Sequence, residues 1–136
     1  MDRSYKEIMN DIKTFVFDID GVLTDGTVHI APNGDMLREM HNRDGFAMKA
    51  ALESGYNVCI ISGGSNEGVR IRLRNLGITD IYMASANKVE TFKEYADLYK
   101  IEAETVLCSF QKNKRKDTPS TSVESLSSIE TTKSVN

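Results

Sequence analysis

The sequence predicts an α/β fold in which a parallel sheet lies between helices on both faces. Three observations predict it. Short apolar, β-prone runs alternate with helical stretches of roughly ten residues. Glycine and asparagine turn signals separate them. Residues able to do chemistry stand just past the apolar runs, where open parallel sheets bind ligands. Right-handed crossovers between such strands distribute helices over both faces.

The elements follow in order. Thr14 to Phe17 is a fully apolar, β-prone run that ends in Asp18-Ile19-Asp20-Gly21, a strand-to-loop transition. Thr27 to Ile30 and Met36 to Met40 flank Pro32-Asn33-Gly34-Asp35, and an Asn-Gly turn between short extended runs signals a hairpin. Asp44 can cap a helix running to about Ser54, with Phe46, Met48, Ala51 and Leu52 as its buried positions and Gly55 as its stop. Asn57 to Ile61 is a buried strand. Ser65 can cap a helix carrying Val69, Leu73 and Leu76 at helical spacing, ended by Gly77. Ile81 to Met83 is a short strand. Lys88 to Tyr99 is a helix with Val89, Phe92, Tyr95, Ala96 and Tyr99 on one face. Thr105 to Cys108 is the last strand.

The 136 residues suit one domain, read over 1–108. After Cys108 the composition turns to Ser, Thr, Lys and Glu. Such a segment buries too little surface to offset its ordering entropy, so 109–136 is expected to be a disordered tail. The net charge of −3 gives no basic face for nucleic acid. No apolar run approaches the roughly 18 residues of a membrane span. Met1 to Lys13 are polar and charged, against a signal peptide. Cys59 and Cys108 sit inside apolar runs and read as free thiols of a cytoplasmic protein.

The chemistry concentrates in Asp18 and Asp20. Two carboxylates at the end of an apolar strand are costly to desolvate unless a cation or donors compensate. Magnesium, hard and partly hydrated, is a natural compensator. A carboxylate held against a cation and a phosphoryl group can act as a nucleophile. Its neighbour can serve as general acid and base. An Asx-turn before Gly21 explains Asp-x-Asp-Gly equally well when it is taken alone.

The longer run Asp18-Ile19-Asp20-Gly21-Val22-Leu23-Thr24-Asp25-Gly26 is more specific. It resembles the first motif of the haloacid dehalogenase superfamily, and is similar to 3-deoxy-D-manno-octulosonate 8-phosphate phosphatases and relatives acting on nine-carbon sugar-acid phosphates. Asn42-Arg43-Asp44-Gly45 resembles that family's substrate loop, Ser62 its second motif and Lys88 its third, over about residues 10 to 108. The resemblance implies a three-layer Rossmann-like sheet with a small β-hairpin insertion and no large cap domain. It implies Asp18 as nucleophile and magnesium ligand. Asp20 becomes acid/base and a ligand through its carbonyl. Ser62 and the Gly63 N–H become phosphate holders, and Lys88 the charge neutraliser. His41, Asn42, Arg43, Asp44, Gly45, Lys49 and Arg72 correspond to substrate-contacting positions. Asp25 reads as a turn residue. The resemblance further implies a homotetramer assembled through the hairpin and a place in lipopolysaccharide biosynthesis.

The sequence departs from this pattern at two places. A Gly-Asp-Asp-like triplet is expected near residues 110–112, where Phe110-Gln111-Lys112 stand. Gly64 replaces an Arg carried by many relatives. The first departure removes a metal ligand and leaves the last apolar strand as an exposed edge. It supports a competing reading, a non-catalytic remnant or subunit-binding module. A phospho-receiver domain is disfavoured, because its acidic pair and phosphorylated Asp lie on different strands.

Overall fold

The computed structural model describes residues 4–111 and 121–125. Strand β1 (Thr14–Phe17) lies at the centre of the sheet, with a parallel strand on each side. It pairs with β4 (Asn57–Ile61) and with β6 (Val106–Gln111). Strand β5 (Asp80–Tyr82) pairs parallel with β4. Strand β7 (Thr121–Ser125) pairs antiparallel with β6, giving the order β5-β4-β1-β6-β7. Between β1 and β4 come the β2–β3 hairpin (His29–Ile30, Met36–Leu37) and α2 (Asn42–Glu53). Helices α3 (Glu67–Asn75) and α4 (Lys88–Tyr99) complete the crossovers, and a short α1 (Tyr5–Asn10) precedes β1. The four parallel strands with their helices bear out the α/β expectation, and the hairpin is the only insertion before α2.

Alternation along the strands builds two cores. Val16, Cys59, Ile61, Val106 and Cys108 face α4 and its Phe92 and Tyr95. Val58 and Ile60 face the other way and pack with Met48 of α2 and Val69 and Leu73 of α3.

Several local expectations shift. His41, not Asp44, caps α2, its Nδ1 accepting from the Arg43 N–H at 3.0 Å. Asn66, not Ser65, caps α3, its Oδ1 accepting from the Val69 N–H at 3.0 Å. Phe46 is not buried but 76 % exposed. The inward stripe of α2 is Gly45 and Met48, with Ala51 and Leu52 partly covered, and Phe46 lies about 100° around the helix from Gly45. Helix α1 was not anticipated. It is set by a capping box in which Ser4 Oγ accepts from the Glu7 N–H while Glu7 accepts from the Ser4 N–H.

The expectation of a tail from residue 109 needs correction where the structure describes it. Strand β6 runs on to Gln111, and Thr121–Ser125 lies along its outer side. Strand β6 is therefore not the edge. Its unpaired N–H and C=O groups take a partner through the backbone, which composition does not reveal. Residues 112–120 and 126–136, including Lys112, lie outside the described residues.

Cys59 and Cys108 are free and buried. Both stand opposite Val16, on the two flanking strands. Two strand spacings put them about 9–10 Å apart, too far for a disulfide. Burial pushes both thiols upward, Cys108 from 9.0 to about 12. The folded chain thus keeps these protons where the unfolded chain loses them. The resulting stability is complete below pH 9.0 and is lost as pH rises through about 12. Stability is expected to fall by about 1.4 kcal/mol per pH unit per thiol in that window. Denaturant titrations at pH 8 to 11 check this, with a shallower slope expected in Cys108→Ala.

Candidate active site

Asp18 follows the last residue of β1 and is 6 % exposed. Its N–H donates to the Ser109 carbonyl at 3.1 Å, which continues the β1–β6 ladder. Its carboxylate is held from two directions. Oδ1 accepts from the Ile19 N–H at 2.7 Å, and Oδ2 accepts from Lys88 Nζ at 2.5 Å. Lys88 opens α4, directly after the cap residue Asn87. Seventy positions separate Asp18 and Lys88 in sequence. Two parallel crossovers bring them to the same sheet end.

Ser62 follows β4 and is 3 % exposed. Its N–H donates to the Tyr82 carbonyl and its carbonyl accepts from the Ser85 N–H, both at 2.9 Å. The hydroxyl accepts from the Gly64 N–H at 3.3 Å. The Gly64 carbonyl in turn accepts from the Ala84 N–H at 2.9 Å. Ala84 is left-handed there, at φ 55°. A non-glycine residue in that conformation is a local strain held by its surroundings. The loop beyond Ser62 is thus tied to the loop beyond β5.

Asp20 sits two residues past Asp18 and is partly buried. Arg38, just beyond β3, grips it with a two-bonded fork: Nε to Oδ1 at 3.1 Å and Nη2 to Oδ2 at 3.2 Å. A Cβ built on Gly64 would lie 3.6 Å from Arg38 Nη2, 3.8 Å from Asp20 Oδ2 and 3.9 Å from Ser62 Oγ. Asp18 with Lys88, and Asp20 beside the Ser62–Gly64 loop, therefore stand at one end of the sheet, with Arg38 committed to Asp20. Such an arrangement can hold a tetrahedral oxyanion beside a carboxylate nucleophile.

The turn between β1 and the hairpin is self-contained. Thr24 Oγ1 accepts from the N–H groups of Gly21 and Gly26, both at 3.2 Å. Asp25 Oδ1 accepts from the Thr27 N–H at 2.8 Å, and that bond, first among its causes, holds the carboxyl below its usual range. Asp25 thus does the work of a turn residue.

The other candidates stand apart from the Asp18–Lys88 contact. His41, Asn42, Arg43 and Asp44 form the exposed start of α2, and Lys49 is exposed further along it. Arg72 of α3 donates to Asn42 Oδ1 at 3.5 Å. Asp44 and His41 line a cleft of about 390 Å³ with Thr24 and Asp25. Gly45 is buried where α2 meets α3, and a Cβ there would lie 3.0 Å from Arg72 Nη2 and 3.3 Å from Leu76 Cδ1. It spaces two helices. Gly63 is exposed at the mouth of the Ser62 loop.

Arg38 was not anticipated from sequence. Eighteen positions separate it from Asp20, and it reads as one residue of a short strand. Nothing in local spacing announces such a pair. The strand is in fact two residues long, and the chain leaves it before Arg38.

The carboxylates fit a magnesium ion by chemistry. Magnesium accepts one or two carboxylates and completes its shell with water and phosphate oxygens. Asp18 and Asp20 offer hard oxygen donors at a strand end. Among the described residues no group of three or more His, Cys, Asp and Glu gathers as a metal cage. Phe110 and Gln111 continue β6 where an acidic loop was expected.

No protein-family model matches the chain. It is 35 % identical over 96 residues to the 3-deoxy-D-manno-octulosonate 8-phosphate phosphatase KdsC of Escherichia coli, a match covering 71 % of this chain and 51 % of that protein. Its fold superposes on the 3-deoxy-D-manno-octulosonate 8-phosphate phosphatase of Moraxella catarrhalis, solved with magnesium, phosphate and KDO, with TM-score 0.70 and 28 % identity, covering 76 % of this chain and 61 % of that one. The chain is a relative of the octulosonate 8-phosphate phosphatases of the haloacid dehalogenase superfamily. A cobalt-bound phosphatase of the same kind from Haemophilus influenzae has TM-score 0.69 and 29 % identity, covering 73 % of this chain and 58 % of that one. The chain spans about half the length of the curated relatives it matches.

Proposed function

We propose that this chain carries the catalytic centre of a phosphomonoesterase for a sugar-acid phosphate, 3-deoxy-D-manno-octulosonate 8-phosphate, working through an aspartyl-phosphate on Asp18. The observation that carries the reading is the buried Asp18 carboxylate at the end of β1, held by Lys88 Nζ and the Ile19 N–H. A carboxylate oriented in this way is preorganised for in-line attack on phosphorus.

In the first step an Asp18 oxygen bonds to phosphorus and the bond to the sugar oxygen breaks. Asp20 delivers its proton to that leaving oxygen. In the second step Asp20 takes a proton from water as the water oxygen bonds to phosphorus. The bond from phosphorus to Asp18 breaks and inorganic phosphate leaves. Ser62 and the Gly63 N–H hold the non-bridging oxygens, and Lys88 offsets the charge that builds on Asp18 and the phosphoryl group. A magnesium ion held by the Asp18 side chain and the Asp20 carbonyl would supply further charge neutralisation.

His41, Asn42, Arg43, Asp44, Gly45, Lys49 and Arg72 make up the sugar-acid surface in this reading. Except for the buried Gly45, their exposure at α2 and α3 suits a site completed by a neighbouring subunit. The hairpin exposes Ile30, Met36 and Leu37, at 72 %, 50 % and 54 %, which suits assembly into a homotetramer. No described helix is long and apolar enough to cross a membrane. In this reading the reaction is a cytoplasmic step toward an acidic cell-surface sugar.

One observation favours a second reading. Strand β6 continues through Phe110 and Gln111 where a further acid would join the metal site. A chain with this sheet end can persist as a folded scaffold without turnover. The test is phosphate release from 3-deoxy-D-manno-octulosonate 8-phosphate, with and without magnesium. Magnesium-dependent release is expected, and folded protein that releases none would establish the scaffold reading.

A further inference from the structure

Arg38 makes the structure's bidentate contact to Asp20, and its side chain is only 10 % exposed. A guanidinium fork on a carboxylate fixes the plane of that carboxylate as well as its position. The remaining arm reaches back, with Nη1 donating to the Met36 carbonyl at 3.1 Å. The same carbonyl accepts from Asn66 Nδ2 at 2.7 Å, and Asn66 Oδ1 caps α3. Met36 belongs to the hairpin and pairs with Ile30. One backbone carbonyl of the hairpin therefore joins the Asp20 clamp to the start of α3.

Exposed ion pairs are worth little, because water competes and two long side chains must be ordered. This guanidinium is largely removed from water, and its nitrogens are committed to a strand end and a carboxylate. An arginine placed in this way orients its partner more than it adds affinity.

We propose that Arg38 is the positioning residue for Asp20, and that the seating of the β2–β3 hairpin on Asn66 sets where Asp20 points. The mechanistic half of this rests on the phosphatase reading above. The clamp itself does not. When the hairpin is seated, Asp20 faces the Ser62–Gly64 loop, as its 3.8 Å approach to a Cβ built on Gly64 shows. When the Met36 carbonyl leaves Asn66, Arg38 leaves with it and Asp20 loses its fixed direction.

Two measurements on the full chain test this. The first compares kcat/KM for the sugar-acid phosphate, whose alkoxide leaving group needs a proton, with p-nitrophenyl phosphate, whose leaving group does not. In Arg38→Met the former is expected to fall about 100-fold, the scale of a displaced general acid. The latter is expected to fall less than about 3-fold, since its leaving group draws on no acid. Equal losses on both would overturn the positioning role.

The second measurement is the arginine Nε–H NMR signal, assigned by its disappearance in Arg38→Lys. A slowly exchanging signal is expected in the unmodified chain, lost in Asp20→Ala and broadened in Asn66→Ala. No protected signal, or one unmoved by Asp20→Ala, would overturn the clamp. A signal unchanged in Asn66→Ala would overturn the coupling to the hairpin. If the unmodified chain hydrolyses neither ester, the phosphatase reading fails, and the NMR result still decides the clamp.

Discussion

Asp18→Asn removes phosphate release while leaving the chain folded. An amide is neutral and a far weaker nucleophile than a carboxylate, so the covalent route closes. Loss of more than about 10⁴-fold in kcat is expected, the scale seen when a nucleophile is deleted. The replacement is nearly isosteric. Its Oδ1 still accepts from the Ile19 N–H, and the ladder bond to the Ser109 carbonyl belongs to the backbone. The ion pair to Lys88 is the interaction lost. Lys88 Nζ lies at the site mouth and stays within reach of water, its side chain being 34 % exposed. The expected melting temperature therefore stays within a few degrees of the parent. Colorimetric phosphate release and a thermal melt on the same preparation check both halves. Release that persists in Asp18→Asn would remove the nucleophile assignment.

Leu73→Ala unfolds more of this chain than any change at the site. Leu73 is fully buried on α3 among Met48, Val58, Ile60, Val69 and Ile78. Its loss removes the transfer energy of the side chain and leaves a cavity, at a cost of about 3–4 kcal/mol. The parent stability of a domain this size is about 5–15 kcal/mol, so the melting temperature is expected to drop by about 10 °C or more. Helix propensity does not offset this, since leucine and alanine differ little. Ile71 supplies a control on the same helix. It is 52 % exposed, and Ile71→Ala is expected to change stability by less than about 0.5 kcal/mol. A thermal melt of both variants separates packing from propensity.

Much of the fold was legible, and the reasons differ by element. Thr14–Phe17 and Asn57–Ile61 were read at their observed limits because interior strands of a helix-covered parallel sheet read as near-continuous apolar runs. Lys88–Tyr99 was read at its limits from its 3.6-residue pattern. The hairpin strands came out shorter than read. Its turn is as the Asn-Gly signal implied, but Asp25 holds Thr27 on one side and Asp20 holds Arg38 on the other. Phe46 misled because hydrophobicity states a preference, while the helix's contact stripe runs through Gly45 and Met48.

The site was legible to different depths as well. Asp18, Asp20 and Ser62 follow strand ends, so parallel topology brings them to one end of the sheet, while Lys88 opens α4 beyond β5. Gly45 stood in the substrate loop by resemblance, yet its burial against Arg72 and Leu76 gives it a packing role that one sequence cannot show.

By itself the sequence determined the parallel α/β order, the turn chemistry and the place of two carboxylates just past the end of β1. These follow from local patterns of apolar periodicity, glycine and carboxylate spacing, which are written in consecutive residues. Only the tertiary structure decided that Lys88 meets Asp18, that Arg38 holds Asp20, that one hairpin carbonyl serves both Arg38 and Asn66, and that Thr121–Ser125 closes the edge of β6. Each of those contacts joins residues distant in the chain. Their energies depend on burial and on unpaired backbone groups, which exist only after the strands have come together.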